Sequence, residues 1–168
     1  VPLTWHMVGH IQSRKAKQIP PLFQMVHSVD RLKLAAKLSQ LMAEREGVLD
    51  VLLEINVSGE ASKSGLPAAG WSRDAGVRSA LWQAIEPILA LPHLRVRGLM
   101  TMAPIVSDME QTRPIFAELA ALRSALIESF GVELPDLSMG MTDDYPVAIE
   151  EGATIVRIGR AIFGPREE

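Results

Sequence analysis

The sequence has 168 residues, 48% hydrophobic and 22% charged, with a net charge of −3 and no cysteine. That suits a globular domain with a real core and excludes disulfide scaffolds, cysteine nucleophiles and thiolate metal sites. The mild acidity supplies no basic field for nucleic acid, no apolar run is long enough to span a bilayer, and no signal-peptide pattern opens the chain. The expectation is a cytoplasmic protein without nucleic-acid or membrane partners.

In chain order, residues 3–10 read as a buried strand ending in a glycine loop, and residues 11–23 as a short basic helix stopped by Pro20-Pro21. Residues 25–29 form a second strand, and Asp30 is expected to cap a helix striped by Leu34, Leu38 and Leu41 and ended by Gly47. A third strand covers 48–57 and runs into the polar loop 58–65. A helix follows from about Asp74 to Leu91, interrupted at Pro87. Residues 94–102 are a fourth strand. The longest helix starts at Ser107 or Asp108 and ends near Phe130, with a stripe of Ile115, Leu119, Leu122, Leu126 and Phe130. A fifth strand (137–141), a short helix (144–151) and a sixth strand (153–158) close the order.

Strand and helix alternate, hairpin signals are missing and the strands are almost continuously apolar. This pattern means a parallel sheet covered by helices. The polar exceptions His10, Asn56, Thr101, Thr142 and Gly159 fall near the C-terminal ends of strands, where open α/β sheets and (β/α)8 barrels both place their sites. Neither Gly-x-Gly-x-x-Gly nor a P-loop occurs, which disfavours dinucleotide and P-loop folds. The reading is therefore an α/β chain of the (β/α)8 TIM-barrel type. About six βα units are visible where a barrel needs eight, and Val1 enters a strand almost at once. An N-terminal truncation is the expectation.

Two late segments carry the chemistry. In Leu137-Ser138-Met139-Gly140-Met141-Thr142-Asp143-Asp144, an apolar strand runs through a glycine to a hydroxyl and then to a helix opened by Pro146. Thr154-Ile155-Val156-Arg157-Ile158-Gly159-Arg160 repeats the pattern and adds an arginine inside a strand, where a charge needs a partner. Free N–H groups, a hydroxyl and helix N-termini at one spot suit a phosphate. The two strands are expected to be neighbours sharing one phosphorylated ligand.

Further motifs accompany these segments in order: Trp5-His6-x-x-Gly9-His10-x-Gln12-x-x-Lys15, His27-Ser28-Val29-Asp30-Arg31, Asn56-Val57-Ser58-Gly59-Glu60-x-Ser62-Lys63-x-Gly65 and Arg97-Gly98-Leu99-Met100-Thr101. Together they resemble the pyridoxal phosphate homeostasis proteins, relatives of the alanine racemase N-terminal domain, over essentially the whole chain. The resemblance implies a single barrel domain over residues 1–168 that binds pyridoxal 5'-phosphate (PLP). Its strands would correspond to the third to eighth of the family's barrel. The family's Schiff-base lysine motif and its Gly-Glu-Asn motif are not in the sequence, so no catalytic residue is assigned.

By the same resemblance, Arg157 donates to the pyridine nitrogen. A guanidinium donor disfavours protonation of that nitrogen and makes the ring a weaker electron sink. Thr142, Gly159, Arg160, Ser138 and Met141 surround the phosphate, and Asn56 and His6 line the pocket. Arg160 departs from the small hydroxylated residue common at its position. Each assignment has a plainer alternative. Arg157 can pair with a carboxylate, Thr142 can be an ordinary cap, Asn56 can tie down the loop 58–65, and His6 can be a satisfied core histidine. Asp143-Asp144 fits a helix-start pair, Arg14-Lys15-x-Lys17 a solvated face, and His6 with His10 lacks a third metal ligand.

The implied function is a carrier or regulator of PLP in vitamin B6 homeostasis, with PLP-dependent apoenzymes as candidate recipients. The alternative is a PLP-dependent racemase or related enzyme. Racemisation in this fold class needs a second base, and the one tyrosine, Tyr145, opens a helix.

Overall fold

Apolar runs and helical stripes fold as the alternation predicts. A computed structural model describes residues 2–164. Its strands are β1 (His6–Met7), β2 (Met25–Val29), β3 (Leu49–Asn56), β4 (Leu66–Pro67), β5 (Leu94–Met100), β6 (Asp136–Met141) and β7 (Ile155–Arg157). Its helices are α1 (Leu32–Ala43), α2 (Ala75–Leu89), α3 (Arg113–Phe130), α4 (Tyr145–Glu150) and α5 (Arg160–Phe163). The main sheet is parallel throughout in the order β1-β2-β3-β5-β6-β7, with β4 paired to the end of β3. Among the described residues, no helix is long and apolar enough to cross a membrane.

The sheet curls into an incomplete TIM-type barrel. In a flat sheet β2 and β6 would stand three strand spacings apart, roughly 14 Å. Yet the side chains of His27 on β2 and Ser138 on β6 meet at 2.9 Å. Strand alternation then sorts the side chains. Val51, Leu53 and Ile55 of β3, Leu99 of β5, and Leu137 and Met139 of β6 join the helices in the main core, with Leu34, Leu38, Ile85, Phe116, Leu119 and Leu122. The concave face holds a second, small cluster of Met25, Leu52 and Met100, with Ile155 packed against it. Two residues further along their strands come His27, Glu54 and Arg157. A floor of apolar side chains thus carries a polar layer toward the C-terminal strand ends.

Local chemistry explains where the elements begin. Asp74 caps α2 by accepting from the N–H groups of Gly76 and Val77 at 2.8 and 3.1 Å. Gly98 lets β5 and β6 approach: a Cβ there would lie 1.8 Å from the carbonyl oxygen of Asp136.

Several expectations are corrected. The strand expected over 3–10 shrinks to His6–Met7, and Leu3 and Trp5 are exposed, because among the described residues β1 has a neighbour on one side only. Asp30 does not cap α1. Its carboxylate faces the Arg31 guanidinium and His10, and Arg31 holds the cap position without a side-chain bond. That helix ends at Ala43, before Gly47. The long helix starts at Arg113; Asp108 instead caps a separate 3-10 turn, Met109–Thr112. Phe116 rather than Ile115 is the fully buried residue of its first turns. The short β4 falls in a stretch read as loop.

Candidate functional site

Arg157 ends β7, where desolvation lowers its guanidinium pKa while Asp144 and Glu54 oppose that shift. It stays a cation, because a guanidinium ordinarily titrates far above neutrality. Its partners are neutral: Nη1 donates to the carbonyl and hydroxyl oxygens of Ser138 at 2.9 and 2.8 Å, and Nη2 to the carbonyl of Thr101 at 2.8 Å. A guanidinium has five N–H donors, so two are left over. Thr101 is itself anchored, its hydroxyl donating to the Ile55 carbonyl at 2.7 Å. The arginine is therefore clamped from β5 and β6 with spare donors at the strand ends.

Ser138 lies at the centre of a chain of side chains. Its hydroxyl meets His27 Nδ1 at 2.9 Å, and His27 Nε2 meets His6 Nδ1 at 3.0 Å. Burial, then His6 and Arg157, lower the His27 pKa to about 4, so its imidazole is neutral at physiological pH. Glu54 is the opposite case. Burial and the Asp30 carboxylate raise it to about 7 against the pull of Arg157. It is 3% exposed, and its Oε2 has no hydrogen-bond partner. Sequence reasoning did not single out His27 or Glu54 as site residues. A signal was present: Leu52, Glu54 and Asn56 lie two apart on β3, as do Met25 and His27 on β2, which puts each pair or triplet on one face.

The two expected loop segments do come together, since Met141 of β6 is in register with Arg157 of β7. Gly140 makes the turn possible: φ is +89°, and a Cβ would lie 2.6 Å from the Cβ of Ala148 on α4. The Thr142 hydroxyl accepts from the Ala161 N–H at 3.4 Å, which ties the first loop to the first turn of α5. Gly159 holds the cap position of that turn. The Arg160 guanidinium pairs with Asp143 across the two loops, and both side chains are largely exposed.

Not every expected residue offers a free polar atom. The Met141 N–H is bonded to Asp144 Oδ1 at 2.6 Å. Asp144 thus braces the loop instead of capping α4, which has no side-chain cap bond. Asn56 is engaged by its own loop: Nδ2 donates to the carbonyls of Glu60 and Lys63, and Oδ1 accepts from Ser58 Oγ and the Gly59 N–H. Tyr145 opens α4 and is exposed. None of Lys15, Lys17, Lys33, Lys37 and Lys63 lies in a strand. Among the described residues, no group of three His, Asp or Glu side chains could hold a metal.

One end of the sheet therefore offers a donor-rich arginine and, a few residues on, a hydroxyl and a short helix start. Such a site can hold a flat ring with an acceptor nitrogen and an attached phosphate.

Comparisons with known proteins place the chain among relatives by sequence and by fold. The family model described as alanine racemase, N-terminal domain, matches residues 3–167. The pyridoxal phosphate homeostasis protein of Aquifex aeolicus is 41% identical over 165 residues, covering 98% of this chain and 68% of that protein. That of Pseudomonas aeruginosa is 44% identical over 172 residues, covering 99% and 66%. The chain thus spans about two thirds of the length of these curated relatives. Among solved structures, PipY of Synechococcus elongatus with PLP bound superposes with a TM-score of 0.81 at 32% identity, covering 96% of this chain and 71% of that one. D-threonine aldolase from Filomicrobium marinum, at TM-score 0.70 and 19% identity over 92% of this chain and 42% of that one, shares the fold.

Proposed function

We propose that this chain, which belongs to the alanine racemase N-terminal domain family, binds PLP at the C-terminal ends of β6 and β7. Its role in this reading is PLP homeostasis in the cytoplasm, handing the cofactor to PLP-dependent apoenzymes rather than catalysing strongly. Residues 1–168 form one domain, whose strands stand as the third to eighth of a (β/α)8 barrel. The observation that carries the reading is Arg157, a half-buried cation clamped by Ser138 and Thr101 with two donors to spare. Those donors would meet the pyridine nitrogen, and Thr142, Gly159 and Arg160 would surround the phosphate. When bound, PLP supplies an electron-withdrawing ring and a reactive aldehyde. Arg157 holds the ring nitrogen as an acceptor and so keeps the ring a weak electron sink. His6, Ser138, Met141 and Asn56 act around this contact by packing and by shaping the loops.

The test is equilibrium binding of PLP followed by its absorbance. The wild-type chain should retain PLP. Arg157→Lys keeps the charge but loses the planar fork, and Arg157→Ala loses both. Each should weaken binding by at least about tenfold, the size of one charge-assisted hydrogen bond. Unchanged affinity in both variants would remove Arg157 from the site. Clear racemisation of an amino acid by the wild-type chain would favour the enzyme reading instead.

A further inference from the structure

We propose that His27 is a positioning residue for Arg157, locked as the Nε2–H tautomer at the centre of a hydrogen-bond relay of fixed direction, Arg157 to Ser138 to His27 to His6. The role in ligand binding rests on the PLP reading; the direction of the relay does not.

The direction follows from donor and acceptor chemistry. A guanidinium only donates, so Ser138 Oγ must accept from Arg157 Nη1 across their 2.8 Å contact. Ser138 is wholly buried. Among the described residues its hydroxyl oxygen has two polar side-chain neighbours, Arg157 and His27. The hydroxyl proton can therefore be satisfied only by donating to His27 Nδ1, 2.9 Å away. The reverse arrangement, with His27 Nδ1–H donating, leaves that proton buried and unpaired, which native interiors avoid. His27 must then carry its own proton on Nε2, where it donates to His6 Nδ1 at 3.0 Å. The neutral ring required for this is the form that burial enforces.

The relay crosses the inside of the curl, from β7 and β6 to β2 and β1, where no backbone ladder joins β6 to β2. Its consequence is mechanical. With its proton committed to His27, the Ser138 hydroxyl presents a lone pair to Arg157 and fixes the torsion of the guanidinium. A hydroxyl free to rotate could turn that lone pair away and leave the guanidinium torsion unfixed.

Two substitutions separate the ends of the relay. Asparagine places an acceptor near the position of Nδ1, so His27→Asn keeps the bond from Ser138 and gives up His6. Glutamine reaches the position of Nε2, so His27→Gln keeps His6 and gives up Ser138. PLP affinity should stay within about threefold of wild type in His27→Asn and fall about tenfold in His27→Gln. Circular dichroism should show both folded. Equal losses in the two variants, or none in either, would overturn the positioning role. Imidazole 15N NMR of the wild-type chain, without ligand and at about pH 8 so that an ordinary histidine is neutral, reads the tautomer directly. A protonated Nδ1 on His27 would overturn the relay without any variant. If the wild type binds no PLP while His27 shows the Nε2–H tautomer, the functional reading fails and the relay stands.

Discussion

His27 and Glu54 bring opposite pH dependences into the same concave layer. His27 ordinarily titrates at 6.5 but at about 4 in the fold. As pH falls from 6.5 to 4, the unfolded chain takes up a proton that the folded chain refuses, and about 3 kcal/mol of stability is lost. Glu54 ordinarily titrates at 4.5 but at about 7 in the fold. As pH rises from 4.5 to 7, the folded chain keeps a proton that the unfolded chain gives up, again at a cost of about 3 kcal/mol. Between 4.5 and 6.5 the two slopes cancel. Glu54→Gln removes one of them. Urea denaturation should find the variant gaining about 3 kcal/mol on wild type as pH rises from 4.5 to 7, with its own stability falling toward acid. A pH-independent difference between the two would mean that Glu54 is ionised in the fold across this range. Single-residue detail of this kind was half legible beforehand. Arg157 stood out as a charge in an apolar strand, but the partners of Ser138 come from strands more than a hundred residues apart in sequence and depend on curvature that no local pattern encodes.

At the scale of elements, the sheet was legible because parallel strands buried on both faces leave apolar runs. β3 and β5 were readable almost to the residue, and Asp74 announced α2. The misreadings share one cause. The apolar side chains of Leu3 and Trp5 imply a buried strand, whereas burial depends on a neighbour, and β1 has one on a single side among the described residues. Asp30 looked like a cap because its type suits caps, yet Arg31 and His10 compete for its carboxylate. The β5–β6 pair gives the sharpest test at this scale. Gly98 is in register with Asp136, and the next two pairs set Met100 against Ser138. A Cβ on Gly98 meets backbone, which cannot swing aside as a side-chain tip can. Gly98→Ala should destabilise the fold by more than about 3 kcal/mol and weaken PLP binding with it, as β6 carries Ser138. A chemical-denaturation midpoint within error of wild type would show that the strands tolerate a wider spacing.

At the scale of the molecule, the curled sheet has two outer strands among the described residues, β1 and β7. An unpaired strand edge exposes N–H and C=O groups that template association, most strongly where apolar side chains flank it. Both conditions hold. Leu3 and Trp5 beside β1 are 72% and 60% exposed, and Ile162 and Phe163 beyond β7 are 67% and 84% exposed. Trp5 already continues the β1–β2 pairing, with backbone and side-chain bonds to Gln24. The chain should therefore self-associate in a concentration-dependent way, read by sedimentation velocity. A charge at the edge opposes such pairing, so Trp5→Lys and Phe163→Glu should each shift the distribution toward monomer. Trp5 lies outside the concave polar layer and the phosphate loops, so the PLP affinity of Trp5→Lys measured at low protein concentration should not change. A wild-type chain that stays monomeric at high concentration, or oligomers indifferent to both charges, would mean that the exposed edges are protected by twist and brevity rather than by a partner.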